Sequence, residues 1–294
     1  MQDMPVDDAQ ARALIERLSA QARTERVAWP GGQVCWRGFG AGSPVVLVHG
    51  GHGSWLHWVR NIEALAAHHT VWAVDLPGFG DSEAPGEGIA ALLAPTLATL
   101  DVLIGSDTPL DLVGFSFGGL VAAHMAAQRP NVRRLALLGT GGHPGLRRPK
   151  GELLNWKPAW HAGDALALEH VMRHNLAMHM LSGAAAELDA LAVRVHTEAC
   201  VRTWFRSKDI SRAGGLVEAL APYAGPTWLV WGAHDVTADP PVIAPALASA
   251  LFDGRSDVVA GAGHWVQYER ADVINPMLLD WLGAVRQRAT VPPG

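Results

Sequence analysis

LDLVGFSFGGLVAAHMAAQ, residues 110–128, decides how the rest of the chain is read. Leu110-Asp111-Leu112-Val113 is a short apolar run of the kind that forms a buried strand. The alanine-rich stretch from Phe117 to Arg129 has a helical composition. Only about three residues are left for the reversal, and Ser116 sits at its apex in a backbone conformation that side chains resist. Gly114 and Gly118, two residues away on either side, remove the Cβ atoms that would collide in so tight a turn. The turn lifts the Ser116 hydroxyl above the C-terminal edge of a sheet. There the Phe117 N–H, at the start of the helix, points at the same space and suits a developing oxyanion.

A serine hydroxyl is a weak nucleophile at neutral pH, so it needs a base, and the base needs an acid to orient it. Among 14 histidines, His264 in VVAGAGHWVQYERAD follows an apolar run and a small-residue loop and precedes the last helical stretch. The acid is expected after another strand end, and WLVWGAHDVTADP supplies Asp235. Asp239 and Asp257 lie too far along their segments. A second oxyanion donor is expected from VVLVHGGHGSWLHW, where the Gly51 N–H is the natural partner of the Phe117 N–H. His49 is expected to hold that loop by hydrogen bonds, and His52 to face the substrate. Phe115 and Phe117 flank the nucleophile, and Phe115 is a candidate for the substrate wall. Trp156, Trp160 and Trp204 are candidates for contact with an apolar or aromatic ligand.

Outward from this turn, the apolar runs 45–48, 71–74, 135–138, 228–231 and 258–260 are short, β-branched or aromatic, and bounded by Gly and Pro. Helical patterns separate them at about 58–68, 89–105, 117–129, 240–252 and 265–288. Alternation of this kind predicts βαβ units and a mostly parallel sheet. Segments 26–29 and 33–39 are expected to pair as an antiparallel hairpin at one edge. Residues 1–25 read as an N-terminal amphipathic helix. From 143 to 212 the alternation breaks into a helical stretch rich in His, Trp and Met, which reads as a cap over a core made of residues 26–142 and 213–294.

The chain has 294 residues, 49% of them hydrophobic and 17% charged, with a net charge of −5. That is a globular composition without the basic excess that would neutralise phosphates, so nucleic acid is not an expected partner. No apolar run is long enough to span a membrane, and the acidic N-terminus lacks the pattern of a secretory signal. Cys35 and Cys200 read as free thiols. The expectation is a cytoplasmic monomer or homodimer acting on a small molecule, with no membrane partner. His170 and His174 have the i, i+4 spacing of zinc ligands but no third ligand, and read as a solvated helix face. Neither a dinucleotide fingerprint nor a P-loop is present. No metal and no cofactor is expected.

HGGHGSW, DLPGFGDS at 75–82, GFSFGG, WGAHD and GAGHW, in this order, resemble the α/β-hydrolase fold family from about residue 27 to 288. The resemblance implies an eight-stranded, mostly parallel sheet flanked by helices, with a helical cap inserted after the sixth strand. It also implies a cofactor-independent Ser116-His264-Asp235 triad, while Asp75 takes a structural part in its loop. The C-terminal stretch GAGHWVQYERADVINPMLLDWL resembles the meta-cleavage-product hydrolases, which cut C–C bonds in dienoate ring-fission products. That likeness places Trp265 on the substrate cavity and a cap arginine (Arg194, Arg202 or Arg206) on the substrate. The reading adopted is a serine hydrolase of a small apolar or aromatic carboxylic ester. C–C hydrolysis is the alternative, and a small-molecule receptor on the same fold a second one.

Overall fold

The computed structural model describes residues 6–283 apart from Pro85. A helix, α1 (Asp8–Gln21), leads into β1 (Arg23–Trp29), β2 (Gly32–Phe39) and β3 (Pro44–Val48). A 3₁₀ turn at Trp55–Trp58 precedes α2 (Ile62–Ala66), and β4 (Thr70–Asp75), α3 (Gly88–Ile104), β5 (Leu110–Phe115), α4 (Phe117–Gln128) and β6 (Val132–Leu138) follow. A helical segment then carries α5 (Lys157–His161), α6 (Ala165–Asn175), a π turn (Leu176–Met180), α7 (Ala190–Val201) and α8 (Lys208–Arg212). The chain returns through α9 (Leu216–Leu220), β7 (Thr227–Gly232), α10 (Pro240–Ala250), β8 (Gly254–Val259), α11 (Val266–Glu269) and α12 (Ala271–Trp281).

The eight strands form one sheet in the order β1-β2-β4-β3-β5-β6-β7-β8. β1 pairs antiparallel with β2, and β2 with β4; every other pairing is parallel. The central strands are apolar on both faces, so both faces need a helical cover. Val45 and Leu47 pack into one core with Ile62, Leu65, Ile274 and Leu278. Val46 and Val48 point the other way, into a core with Leu100, Leu120, Ile243 and Leu247. Burying each such side chain contributes about 1.5–3 kcal/mol before conformational entropy is subtracted. The helices thereby hold the parallel strand ends in register, and the loops after β3, β5, β7 and β8 gather at one edge.

Several boundaries differ from the sequence reading. The N-terminal helix stops at Gln21, and β1 begins at Arg23, three residues earlier than the expected hairpin. α1 buries Ala11 and Leu18, and its Asp8 pairs with Arg194 of α7, so it joins the helical segment to the sheet. The stretch 58–68 is a 3₁₀ turn plus one short helix. β8 starts at Gly254: as a half-exposed edge strand, GRSD lacks the apolar run that marks a buried one. The last helical stretch divides at Arg270. Its expected end, 284–288, lies outside the described residues, as do residues 1–5 of the expected N-terminal helix and the tail of the expected core.

Candidate active site

Ser116 links β5 directly to α4 with φ 54° and ψ −120°. A left-handed non-glycine residue costs about 1–3 kcal/mol and persists only where the surroundings impose it. Here the Ser116 N–H donates to Leu138 O at 2.9 Å, and Ser116 O accepts from Gly119 N and Gly141 N at 2.9 and 2.8 Å. A Cβ on Gly118 would lie 2.2 Å from His49 O, and one on Gly114 2.5 Å from Gly118 O. The two glycines therefore let α4 press against the neighbouring strand ends, which keeps Ser116 at the apex.

His264 Nε2 lies 2.8 Å from Ser116 Oγ, and its Nδ1 2.8 Å from Asp235 Oδ2. The other Asp235 oxygen accepts from Thr237 N at 2.7 Å and Thr237 Oγ1 at 2.8 Å. This pattern sets the tautomer: Nδ1–H donates to Asp235, and Nε2 accepts the Ser116 proton. Asp235 and His264 are buried, whereas Ser116 is partly exposed. Burial pushes the Asp235 carboxyl up. The attraction of His264 and the hydrogen bonds from His264 and Thr237 outweigh it and hold the carboxyl below its usual value. Asp239 instead pairs with Arg148, and Asp257 accepts from Trp228 Nε1 at 2.7 Å.

Gly51 and Phe117 face each other beside Ser116, and neither amide has an acceptor among the described residues. His49 stabilises the Gly51 loop: its Nε2 accepts from Leu76 N at 3.0 Å, and its Nδ1–H donates to Gly50 O at 2.8 Å. Asp75 supports the same loop from below, accepting from Trp55 N, Asp81 N and Arg37 Nη1. His52 is exposed, in a left-handed conformation with φ 52°.

The structure differs from the expected substrate contacts. Phe115 and Trp265 are completely enclosed. Phe115 packs under the His264 ring at 5.0 Å, and Trp265 stacks on Tyr268 at 4.2 Å while donating to His57 O. Both brace the site from beneath and present no surface to a ligand, because residues that alternate along a strand or follow a buried loop point into the core. Trp156 is partly buried and packs on the core, whereas Trp160 and Trp204 are 47% and 70% exposed. Arg194 pairs with Asp8 and Glu198, Arg202 pairs with Asp81, and Arg206 is exposed.

Two neighbours of the site went unread in the sequence. His57 is buried and accepts from Gly50 N at 3.2 Å, propping the oxyanion loop. His179, on the π turn, places its ring 5.5 Å from that of His264. Burial, and then the nearby His264, push its imidazole down to about 3, so it is neutral. The π turn is strapped to the His264 loop: Trp265 N donates to Met180 O at 2.7 Å, and Glu269 accepts from both Ser182 and Gly263. Nothing local in the sequence marks either histidine, since both contacts depend on distant segments.

His170 is exposed, and His174 Nε2 is bound to Glu152 O, so the two share no ligand. Cys35, Asp75 and Asp81 bring potential metal donors within 4.8 Å of one another. Arg37 occupies both carboxylates, Arg202 pairs with Asp81 as well, and burial pushes the Cys35 thiol up to about 11. This donor set is already committed to ion pairs. Cys35 and Cys200 are buried and unbridged. Among the described residues no helix is long and apolar enough to cross a membrane.

Residues 45–276 match the alpha/beta hydrolase family. The 2-hydroxy-6-oxo-2,4-heptadienoate hydrolase of Pseudomonas putida strain F1 is 40% identical over 110 residues, which are 35% of this chain and 39% of that enzyme. The 2-hydroxy-6-oxononadienedioate/2-hydroxy-6-oxononatrienedioate hydrolase of Cupriavidus pinatubonensis is 29% identical over 83% of this chain and 88% of its own. The crystal structure of a membrane phospholipase A superposes with a TM-score of 0.73 at 24% identity, covering 95% of this chain and 91% of the other. Esterases and meta-cleavage product hydrolases share the fold at 18–22% identity. With its sheet order, its strained serine turn and a family match across most of its length, the chain belongs to the alpha/beta hydrolase family.

Proposed function

We propose that the protein is a cofactor-independent serine hydrolase of a small carboxylic ester with an apolar or aromatic part. The observation that carries this reading is the hydrogen-bonded line Asp235–His264–Ser116, with 2.8 Å at both links, beside two amides without acceptors. Ser116 Oγ attacks the acyl carbon as His264 Nε2 takes its proton. The Gly51 and Phe117 amides hold the oxyanion. Collapse expels the alcohol, which takes the proton from His264. A water molecule then gives a proton to His264 and attacks the acyl carbon, releasing the acid and restoring Ser116. In this reading residues 143–212 act as a cap that selects the substrate.

A second reading, hydrolysis of a C–C bond in a dienoate, is favoured by the two relatives named for such substrates. A paired turnover assay separates the readings. One arm is a 4-nitrophenyl ester series, the other a coloured dienoate ring-fission product, and Ser116→Ala is the control for both. Ester turnover with an inert dienoate supports the first reading. Dienoate turnover far above ester turnover replaces it with the second. Tight binding of either compound without Ser116-dependent turnover points instead to a receptor.

A further inference from the structure

Three serines are buried among the described residues: Ser54, Ser82 and Ser207. Ser54 Oγ accepts from Leu56 N, and Ser82 Oγ accepts from Cys35 N and donates to Asp75 O. Ser207 is 3% exposed, yet its Oγ has no hydrogen-bond partner among the described residues. It stands just before α8, where a serine ordinarily turns its oxygen onto the first N–H groups of the helix. Ser54, Asp7, Asp164 and Asp189 do so at the elements they open. Ser207 instead has a helical backbone, φ −82° and ψ −19°, and leaves α8 without a side-chain cap. A buried hydroxyl without a partner costs the fold free energy and calls for a reason.

Its place in the fold supplies one. Ser207 Oγ lies 2.5 Å from where a Cβ on Gly51 would stand, and that same point is 3.8 Å from Phe117 Cβ. A Cβ on the preceding Gly50 would lie 3.0 Å from Ser116 Cβ. The unpaired hydroxyl is therefore packed on Gly51 and beside Phe117, the two residues whose amides are also without acceptors.

The segment that carries Ser207 is fixed to the sheet side. Thr203 forms a bridge with Phe79, Gly80 N donates to Arg202 O at 3.0 Å, and Trp204 N and Phe205 N donate to Gly78 O at 2.9 and 3.2 Å. The Phe205 ring packs on Phe79 at 5.8 Å and on Phe117 at 5.9 Å. Beyond Ser207, Ser211 N donates to Ser207 O at 2.9 Å, and Gly142 N to Ser211 O at 2.8 Å. Ser207 is thus held from both sides, by the loop after β4 and by the loop after β6.

We infer that Ser207 is a further catalytic residue, its hydroxyl a third donor to the oxyanion beside the Gly51 and Phe117 amides. The inference rests on the hydrolase reading and deepens it, since the helical segment then supplies part of the machinery. As Ser116 Oγ bonds to the acyl carbon, the carbonyl π pair moves onto oxygen and the Ser116 proton passes to His264 Nε2. Ser207 O–H donates to that oxygen and keeps its proton. The tetrahedral oxyanion has one more lone pair than the planar carbonyl, so a third donor favours the transition state over bound substrate.

The test uses 4-nitrophenyl butyrate and trifluoromethyl propyl ketone. The ketone adds to Ser116 Oγ and leaves an oxyanion in the same place. Ser207→Ala should lower kcat on the order of 10²-fold and weaken the ketone by a similar factor. KM should stay within about threefold, because the donor acts in the transition state. The denaturation midpoint should not fall, since an unpaired hydroxyl is removed. Ser207→Cys keeps the packing but offers a weak donor, so it should behave like Ser207→Ala.

Ser116-dependent turnover that Ser207→Ala leaves unchanged overturns the inference and leaves the hydrolase reading standing. So does a Ser207→Cys variant with wild-type kcat and ketone affinity, which marks a serine that only packs, even where Ser207→Ala does not fold. If the wild-type chain turns over no ester, the ester-hydrolase reading fails, and fluorine NMR of the ketone decides the inference alone. A hemiketal that forms on Ser116 and is weakened by Ser207→Cys supports it. No hemiketal, or one equally tight in the variant, overturns it.

Discussion

The sheet side and the helical side of the site are built on opposite principles. On the sheet side the polar groups at the centre are enclosed and matched: Asp235 accepts three hydrogen bonds, His264 uses both nitrogens, and His49 does the same beneath the oxyanion loop. On the helical side the charged groups pair at the surface, as Arg148 does with Asp239 and Arg202 with Asp81, and Trp160 and Trp204 are 47% and 70% exposed. A matched, enclosed network is preorganised and tolerates no loss. An open surface costs the fold little when altered. Chemistry should therefore be brittle here and selectivity pliable.

The sharpest way to break this contrast is at the nucleophile. Ser116→Ala should lower kcat for the best ester on the order of 10⁶-fold, read by single-turnover kinetics. Asp235→Asn should cost on the order of 10⁴-fold, because the amide favours the wrong imidazole tautomer. Near-normal activity in either variant would remove that residue from the mechanism. Next in size is Trp265→Ala, which empties a sealed site and loses the bond to His57 O. It should cost about 3–5 kcal/mol in chemical denaturation.

Acidity gives an intermediate effect that spans both sides. Burial pushes His143 and His196 down to about 4, so they are neutral in the fold well below the pH at which free histidine protonates, about 6.5. The unfolded chain binds those protons first, so stability should fall as pH drops from about 6.5 to about 4 and level off below. Denaturation midpoints followed across that window, with His196→Gln flattening the slope, check the sign. Asp235 acts elsewhere. Its lowered carboxyl stabilises the fold above about 3.9, and that contribution is lost only as pH falls through its folded value. The smallest effect expected is that of Trp204→Ala, within about 0.5 kcal/mol, since its ring is 70% exposed. A loss near that of Trp265→Ala would erase the contrast between the two sides.

The same contrast explains what could be read from the sequence. The turn at Ser116, the loop glycines and the acid and base positions are local signals, because each depends on backbone geometry within a few residues. The sheet was legible wherever strands are buried on both faces, and obscure at β8, whose exposed face hides the apolar run. Phe115 and Trp265 were placed beside the right residues but facing the wrong way, since adjacency in sequence does not say which side of a strand or loop a ring takes. His57 and His179 left no local mark. Their environment is made by the 3₁₀ turn and the π turn only after those pieces meet the His264 loop.

Ser116 and His264 are separated by 148 positions in the chain. During synthesis the strained serine turn is complete long before its base exists, and β7 and β8 must still dock on β6 before a proton has anywhere to go. In the proposed hydrolase, a growing chain is thus without its base, and so without activity, until β8 and the loop after it have been made. The same arrangement means that a chain cut in the exposed stretch near Leu153 yields two halves, each inert alone, whose recovery of activity on mixing would report correct assembly of the sheet.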